Sequence, residues 1–358
     1  MHRISLPALA LAGAMLCTCA AGHGADAAAA SAASTPAGAA TGAPPVVLSA
    51  YKHLAQWQDD AAPVITVAPQ GVRMPYLADG ASRFGRAALS WAFASGECGE
   101  EVWGSVSGAQ IAAANVAAFA QAGIGYIVST GGQGHMFTCA SDEGMERFIS
   151  RYDTPALLGI DFDIEEGQTP AQIDALVGRA VVAQQRRPAL RFSFTVATHA
   201  ASDGSLHSLN TLGVTVLKSV RRQGLRNYTF NLMVMDYGPA TRKVCVLRKG
   251  RCDMGRSALQ AAHNVHRKYG IPYNQIELTP MLGVNDVVEN VFTVADMQRL
   301  ARAVAQLKLA GLHYWSLDRD TPCRQPVKGA DALCSGMAGV PAGAYLRAMG
   351  AAAAERPQ

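Results

Sequence analysis

The feature that most constrains this chain is a repeated alternation. Eight short apolar segments recur from residue 46 onward, at 46–51, 87–93, 125–130, 157–164, 191–197, 228–238, 276–282 and 311–317. Between them lie segments with helical periodicity, clearest at 108–123, 169–186 and 293–311. Thr169 and Thr293 suit the N-cap, Pro170 suits the first helical position, and Gly311 suits a helix end. Eight strand–helix units in one run predict an α/β protein, a single (β/α)8 TIM barrel over residues 46–352. A doubly wound sheet would want a glycine-rich phosphate loop after its first strand, and AYKHLAQW at 50–57 offers none.

The N-terminus stands apart from that pattern. MHR precedes an apolar run too short to span a bilayer comfortably, so residues 1–25 are expected to be a secretory signal peptide, cleaved near Ala20, Ala21 or Ala27. Cys17 and Cys19 do not follow the small-residue pattern of a lipid attachment site. Residues 26–45, almost wholly Ala, Ser, Thr, Pro and Gly, cannot bury a core and read as a tether. The expected location is therefore secreted, extracellular or periplasmic, with no membrane association.

Export favours disulfides, and six cysteines follow the signal. Cys245–Cys252 and Cys323–Cys334 would close short local loops, which leaves Cys98–Cys139. With a net charge of +4 and 16% charged residues, the chain gives no reason to expect a nucleic-acid partner. The one dense basic patch, RKVCVLRKGRC at 242–252, reads as a solvated loop.

The fourth apolar segment, LLGIDFDIEEG at 157–167, carries acids where a buried strand should be apolar. Strand side chains alternate, so Asp161, Asp163 and Glu165 share one face and Ile160, Phe162 and Ile164 the other. In a barrel the acids point inward and climb toward the C-terminal mouth, where barrel enzymes act. Successive same-face positions are roughly 6–7 Å apart. Carboxylates that close raise the pKa of at least one, which suits a general acid. Glu166 faces outward. A divalent-metal site is the rival reading, but no further carboxylate cluster completes a shell.

The stretch LGIDFDIE resembles the DGxDxDxE signature of glycoside hydrolase family 18, and the likeness extends along the chain. SWAF (90–93), STGGQG (129–134), MVMDYG (233–238), ELTPMLGVND (277–286) and HYWSLDRD (313–320) resemble that family's motifs in order. The resemblance implies a chitinase-like retaining hydrolase acting on N-acetylglucosamine polymers or oligomers as a monomer. The substrate's own acetamido oxygen is then the nucleophile, and neither a cofactor nor a metal is required. It implies Glu165 as acid and then base, Asp163 as the group that holds the acetamido N–H, and Asp161 as a partner sharing a proton with Asp163. Trp315 would be the sugar platform, and Met233, Met235, Asp236, Tyr237 and Tyr51 would line the pocket. Trp91 is a further candidate wall residue, whereas His135 and His199 read as ordinary loop residues.

Two positions depart from the pattern. Leu158 stands where the signature begins with Asp, a position expected deepest in the barrel, and Met235 stands where the family often has a Tyr that donates to the acetamido oxygen. Tyr237 has the same strand parity as Met235 and could serve from one layer higher. Two alternative functions remain at this stage: an endo-β-N-acetylglucosaminidase acting on glycans or peptidoglycan, and a chitin-binding lectin-like protein. The presence of Glu165 speaks against the latter.

Overall fold

The computed structural model describes residues 46–56, 58–68, 72–80 and 87–354. The signal and tether readings, with Cys17 and Cys19, lie outside the described residues. Eight parallel strands close into one barrel: β1 (Val47–His53), β2 (Ala88–Ala94), β3 (Tyr126–Gly131), β4 (Leu157–Asp163), β5 (Phe192–Ala197), β6 (Tyr228–Met233), β7 (Ile276–Thr279) and β8 (Gly311–Leu312). Each pairs with its sequence neighbours, and β1 closes on β8 through Val47–Gly311 and Leu48–Leu312.

Among the described residues, seven α-helices accompany the strands: α1 (Gly108–Ala122), α2 (Asp142–Tyr152), α3 (Pro170–Arg186), α4 (Thr211–Gln223), α5 (Met254–Tyr269), α6 (Val294–Leu307) and α7 (Ala344–Ala354). Ser107, Ser141, Thr169, Asn210, Asp253 and Thr293 cap the first six, each accepting a backbone N–H of the first turn. The expected helix after the first strand is replaced, among the described residues, by a small hairpin (Thr66–Val67 with Met74–Pro75) and one helical turn at Tyr76–Gly80. Gly311 does not end a helix. Lys308 takes that left-handed position (φ 57°), and Gly311 opens β8. A Cβ at 311 would sit 2.8 Å from His313 Nε2 and 2.9 Å from the Val47 carbonyl, so the crowded barrel floor requires glycine there.

The strand alternation holds where it matters most. Ile160, Phe162 and Ile164 are buried toward the helices, with Phe162 stacked on Phe192 at 5.8 Å. Trp91 belongs to this outer layer too. It is fully buried, stacks on Tyr126 at 4.4 Å and meets Phe119 edge-on, so it forms no pocket wall. Leu158 is not deep in the barrel. It has the outward parity of Ile160, the register shifts between Leu157 and Gly159, and its side chain lies 38% exposed against Gly125.

The barrel interior is polar where TIM barrels ordinarily pack branched aliphatics. Ser49, Ser90, Ser129, Ser193, Thr195, Asn231 and Thr279 are all buried. On the floor, Arg191 pairs with the fully buried Glu277, and His313 Nε2 lies 3.5 Å from the same carboxylate. His313 Nδ1 meets Ser49 Oγ at 2.7 Å, and burial beside the Arg191 cation pushes this imidazole down to about 3, so it is neutral. Cys98–Cys139, Cys245–Cys252 and Cys323–Cys334 are bonded as the loop argument expected.

Candidate active site

The register of β4 places Asp161 level with Ser129 on β3 and Ser193 on β5. Four hydroxyls from three strands donate to its carboxylate: Tyr51 (2.9 Å) and Ser129 (2.6 Å) to Oδ2, Ser193 (2.7 Å) and Thr195 (2.8 Å) to Oδ1. Asn231 Nδ2 joins this network by donating to Tyr51 Oη and to Thr195 Oγ1. A carboxylate with both oxygens filled by donors is held in one orientation. The expected proton shared between Asp161 and Asp163 has no hydrogen bond to carry it, because Asp161 spends both oxygens on hydroxyls.

One layer up, Asp163 is 6% exposed, and its Oδ1 is buried with no hydrogen-bond partner. Burial raises its pKa well above the ordinary carboxyl value, and the nearby Glu165 and Asp161 carboxylates raise it further. Gly131, at the end of β3, lets the backbone pass Asp163. Its φ is 83°, and a Cβ there would stand 2.2 Å from the Asp163 carbonyl.

Glu165 follows the strand end and is partly exposed in the cleft. Its carboxyl is pushed up to about 7, first by burial and then by the charges of Glu166 and Asp236, against a hydrogen bond from the Gln133 backbone. Glu166 is exposed as its parity predicts, and its Oε1 accepts the Gly134 N–H at 3.1 Å.

The cleft above these acids has a volume of about 330 Å³. Trp315 lines it half-buried, stacked on Phe93 at 5.5 Å with Tyr51 6.2 Å away. Met233, Met235, Asp236 and Tyr51 line it as well. Tyr237 is not in the cleft. Asp236 adopts a left-handed backbone (φ 47°), the strand has already ended at Met233, and Tyr237 turns into the core, 2% exposed with an unpartnered hydroxyl. Strand parity does not extend across such a turn. Asp236 Oδ1 is fixed by the Val287 N–H at 2.8 Å, and burial with the neighbouring Asp286 raises its pKa.

Several cleft residues were not among those singled out in the sequence. Phe93, Gln133, Thr198, Asn210, Thr279, Met281 and Asp286 line it, and so does His199, which the sequence left as an ordinary loop residue. Burial and His207, whose ring lies 4.5 Å away, lower the His199 pKa. Phe93 has the outward strand parity of Trp91, and it lines the cleft where the register shifts between Trp91 and Ala94. Thr279 ends β7 on the same face as Glu277, and the others sit in loops, where no period reveals direction. His135 is exposed outside the cleft. Among the described residues, the one group of three possible metal donors is Glu97, Cys98 and Cys139, whose two sulfurs are joined in a disulfide.

No family model matches the chain. It is similar to a probable bifunctional chitinase/lysozyme of Escherichia coli (strain K12), 27% identical over 241 residues, which is 62% of this chain and 26% of that protein. It is also similar to endochitinase 11 of Metarhizium anisopliae, 26% identical over 222 residues, 58% of this chain and 42% of that protein. The matches thus span less than half the length of either relative. The catalytic domain of a hyperthermophilic chitinase from Pyrococcus furiosus shares the fold, with a TM-score of 0.66, 24% identity and coverage of 86% of this chain and 95% of that one. A putative chitinase A from Streptomyces coelicolor does so with a TM-score of 0.52 and 14% identity over 86% of this chain and 98% of that one. The sequence matches are thus to proteins named as chitinases, and the fold is shared with chitinase catalytic domains.

Proposed function

We propose that this chain is a secreted, monomeric, retaining glycoside hydrolase that cleaves β-1,4-linked N-acetylglucosamine polymers or oligomers with the substrate's acetamido group as nucleophile. The observation that carries this reading is the stacked acid pair: Glu165, near neutral pKa at the cleft, directly above Asp163, whose buried Oδ1 has no partner of its own. An unpartnered buried carboxylate oxygen is costly unless a ligand satisfies it. An acetamido N–H does so.

In the first step the Glu165 carboxyl gives its proton to the glycosidic oxygen as the C1–O bond breaks, and the acetamido oxygen bonds to C1. The leaving sugar departs as an alcohol, and the remaining sugar becomes an oxazolinium whose positive charge faces Asp163. In the second step the Glu165 carboxylate takes a proton from water, whose oxygen attacks C1 and restores the acetamide with retained configuration. Asp161, held by its four hydroxyls, sits close enough to Asp163 to help raise its pKa. Trp315 supplies the apolar platform for the sugar face. Tyr237 cannot stand in for the tyrosine that Met235 displaces, so the acetamido oxygen lacks that donor and turnover is expected to be slow.

Support for secretion comes from the apolar N-terminal run and the three disulfides. The deciding experiment incubates the purified protein in parallel with N-acetylglucosamine oligomers, glycoprotein glycans and an unacetylated β-1,4-glucan. The reading expects β-anomeric products from the first substrate and an inert glucan. Release of the α-anomer, or cleavage of the glucan, would defeat it. Cleavage of the glycans alone would move the substrate to them.

A further inference from the structure

The loop between β6 and α5 carries charge out of proportion to its size. Residues 242–256 hold six Lys or Arg and one Asp, more positive charge than the +4 of the whole chain. The structure gives this loop a fixed shape. Leu247–Arg248 and Arg251–Cys252 form an antiparallel hairpin, closed by the Cys245–Cys252 disulfide. Arg242, Lys243, Arg248, Lys249 and Arg251 are all exposed. Asp253 caps α5 and is shared among Arg248, Arg256 and Arg299 at 3.5–3.9 Å, and Asp203 in the loop after β5 lies within electrostatic reach of Lys243. Among the described residues, Lys249 and Arg251 have no ion-pair partner.

The hairpin is also placed beside the cleft. Its base is hydrogen-bonded to the loop after β5: Ala200 N–H donates to the Val244 carbonyl (2.8 Å), Ser202 N–H to the Arg242 carbonyl (2.7 Å) and Ser202 Oγ to the Cys245 carbonyl (2.9 Å). That same loop supplies His199 and Asn210 to the cleft lining. A polymer held on the hairpin therefore lies next to the cleft mouth.

We infer that this disulfide-stapled hairpin is an accessory docking site for an anionic polysaccharide bearing carboxylates. Like-charged exposed cations held at fixed spacing repel one another, and a polyanion relieves that repulsion while steering encounter. A polysaccharide fits better than the other polyanions. Residues 239–256 contain no aromatic side chain on which nucleic-acid bases could stack, and Leu247 is the loop's one exposed large apolar residue, too little to enter a bilayer. The carboxylates could belong to the amino-sugar strand itself or to a separate polymer lying alongside. The proposal concerns binding and stands whether or not the hydrolase reading does.

The test measures binding of the full protein, at low ionic strength and in a salt titration, to polygalacturonate, to a hyaluronan fragment (carboxylates on an amino-sugar strand) and to neutral N-acetylglucosamine oligomers. Anionic phospholipid vesicles and a DNA duplex are measured in parallel. The expected result is salt-sensitive binding to one or both anionic polysaccharides. Reversing Arg248, Lys249 and Arg251 to Glu should lower that affinity on the order of 100-fold, and the neutral set Arg248→Gln, Lys249→Gln, Arg251→Gln should lower it less, in the same order. Preference for hyaluronan would make the carboxylates part of the substrate strand, and equal affinity for both would place the polymer alongside it. Absence of polysaccharide binding, tighter binding to vesicles or DNA, or an equal loss on reversing the exposed Lys218, Arg226 and Arg302 elsewhere would overturn the proposal.

Discussion

Glu166→Gln tests the electrostatics of the acid without touching it. Glu166 is exposed and contributes the largest charge effect on Glu165. Glutamine keeps the acceptor for the Gly134 N–H, so the loop geometry should persist. With the two carboxyls about 7 Å apart, as neighbouring residues on a turn, and an effective dielectric near 60 for so exposed a charge, the repulsion is about 0.8 kcal/mol, or about half a pH unit. Removing a negative neighbour favours the ionised form, so the Glu165 pKa falls from about 7 toward the ordinary carboxyl value. The proton donor is then scarcer above neutrality. At pH 8 kcat/KM should drop about threefold, whereas at pH 5, where both forms are protonated, it should not change. Since the Debye length is about 3 Å in 1 M salt, the difference should vanish there. The assay is a pH–rate profile on a chromogenic N-acetylglucosamine oligomer at low ionic strength. An alkaline limb that stays in place, or moves to higher pH, would refute the assignment of Glu165 as the proton donor tuned by Glu166.

Other consequences follow from the same geometry. Glu165→Gln should lose about 10²–10⁴-fold in kcat while oligomer binding persists in a calorimetric titration. The same variant bears on stability. Because burial raises the Glu165 pKa to about 7, folding binds a proton between the ordinary value and 7, so native stability falls as pH rises through that window. The Gln variant should therefore melt at a higher temperature than the native protein at pH 8 and at the same temperature at pH 4. Trp315→Ala should weaken binding and rate together, since it removes the platform stacked on Phe93. Its test is KM and kcat on the same oligomer, and a loss confined to kcat would contradict the platform role. Arg191→Met leaves the buried Glu277 without its cation and should cost about 3–5 kcal/mol in chemical denaturation. A loss under 1 kcal/mol would show that the floor pair is not needed for stability.

The sequence by itself determined the barrel and the height of its acids. Eight apolar segments in alternation with helical ones leave few topologies open, and a period of two assigns Asp161, Asp163 and Glu165 to one face without knowledge of any neighbour. Capping residues such as Thr169 marked helix starts for the same reason: the chemistry is local. Short cysteine spacing likewise led to Cys245–Cys252 and Cys323–Cys334, and Cys98–Cys139, 41 residues apart, followed as the remaining pair. Side-chain direction beyond a regular strand is not set by the period of two. Tyr237 has the right parity but follows the left-handed Asp236, and Leu158 sits in the register shift between Leu157 and Gly159 with the outward parity of Ile160.

Only the tertiary structure decided what surrounds each acid. The four hydroxyls on Asp161 come from β1, β3 and β5, and no single segment announces that they converge. The Arg191–Glu277–His313 floor joins strands 86 positions apart. His199 and Asp286 reach the cleft from loops whose course is set by packing against other loops. A hydrogen bond or a charge acts through space, so a carboxylate's pKa depends on groups distant in sequence, whereas the face of a strand depends only on the two dihedral angles of each residue in it.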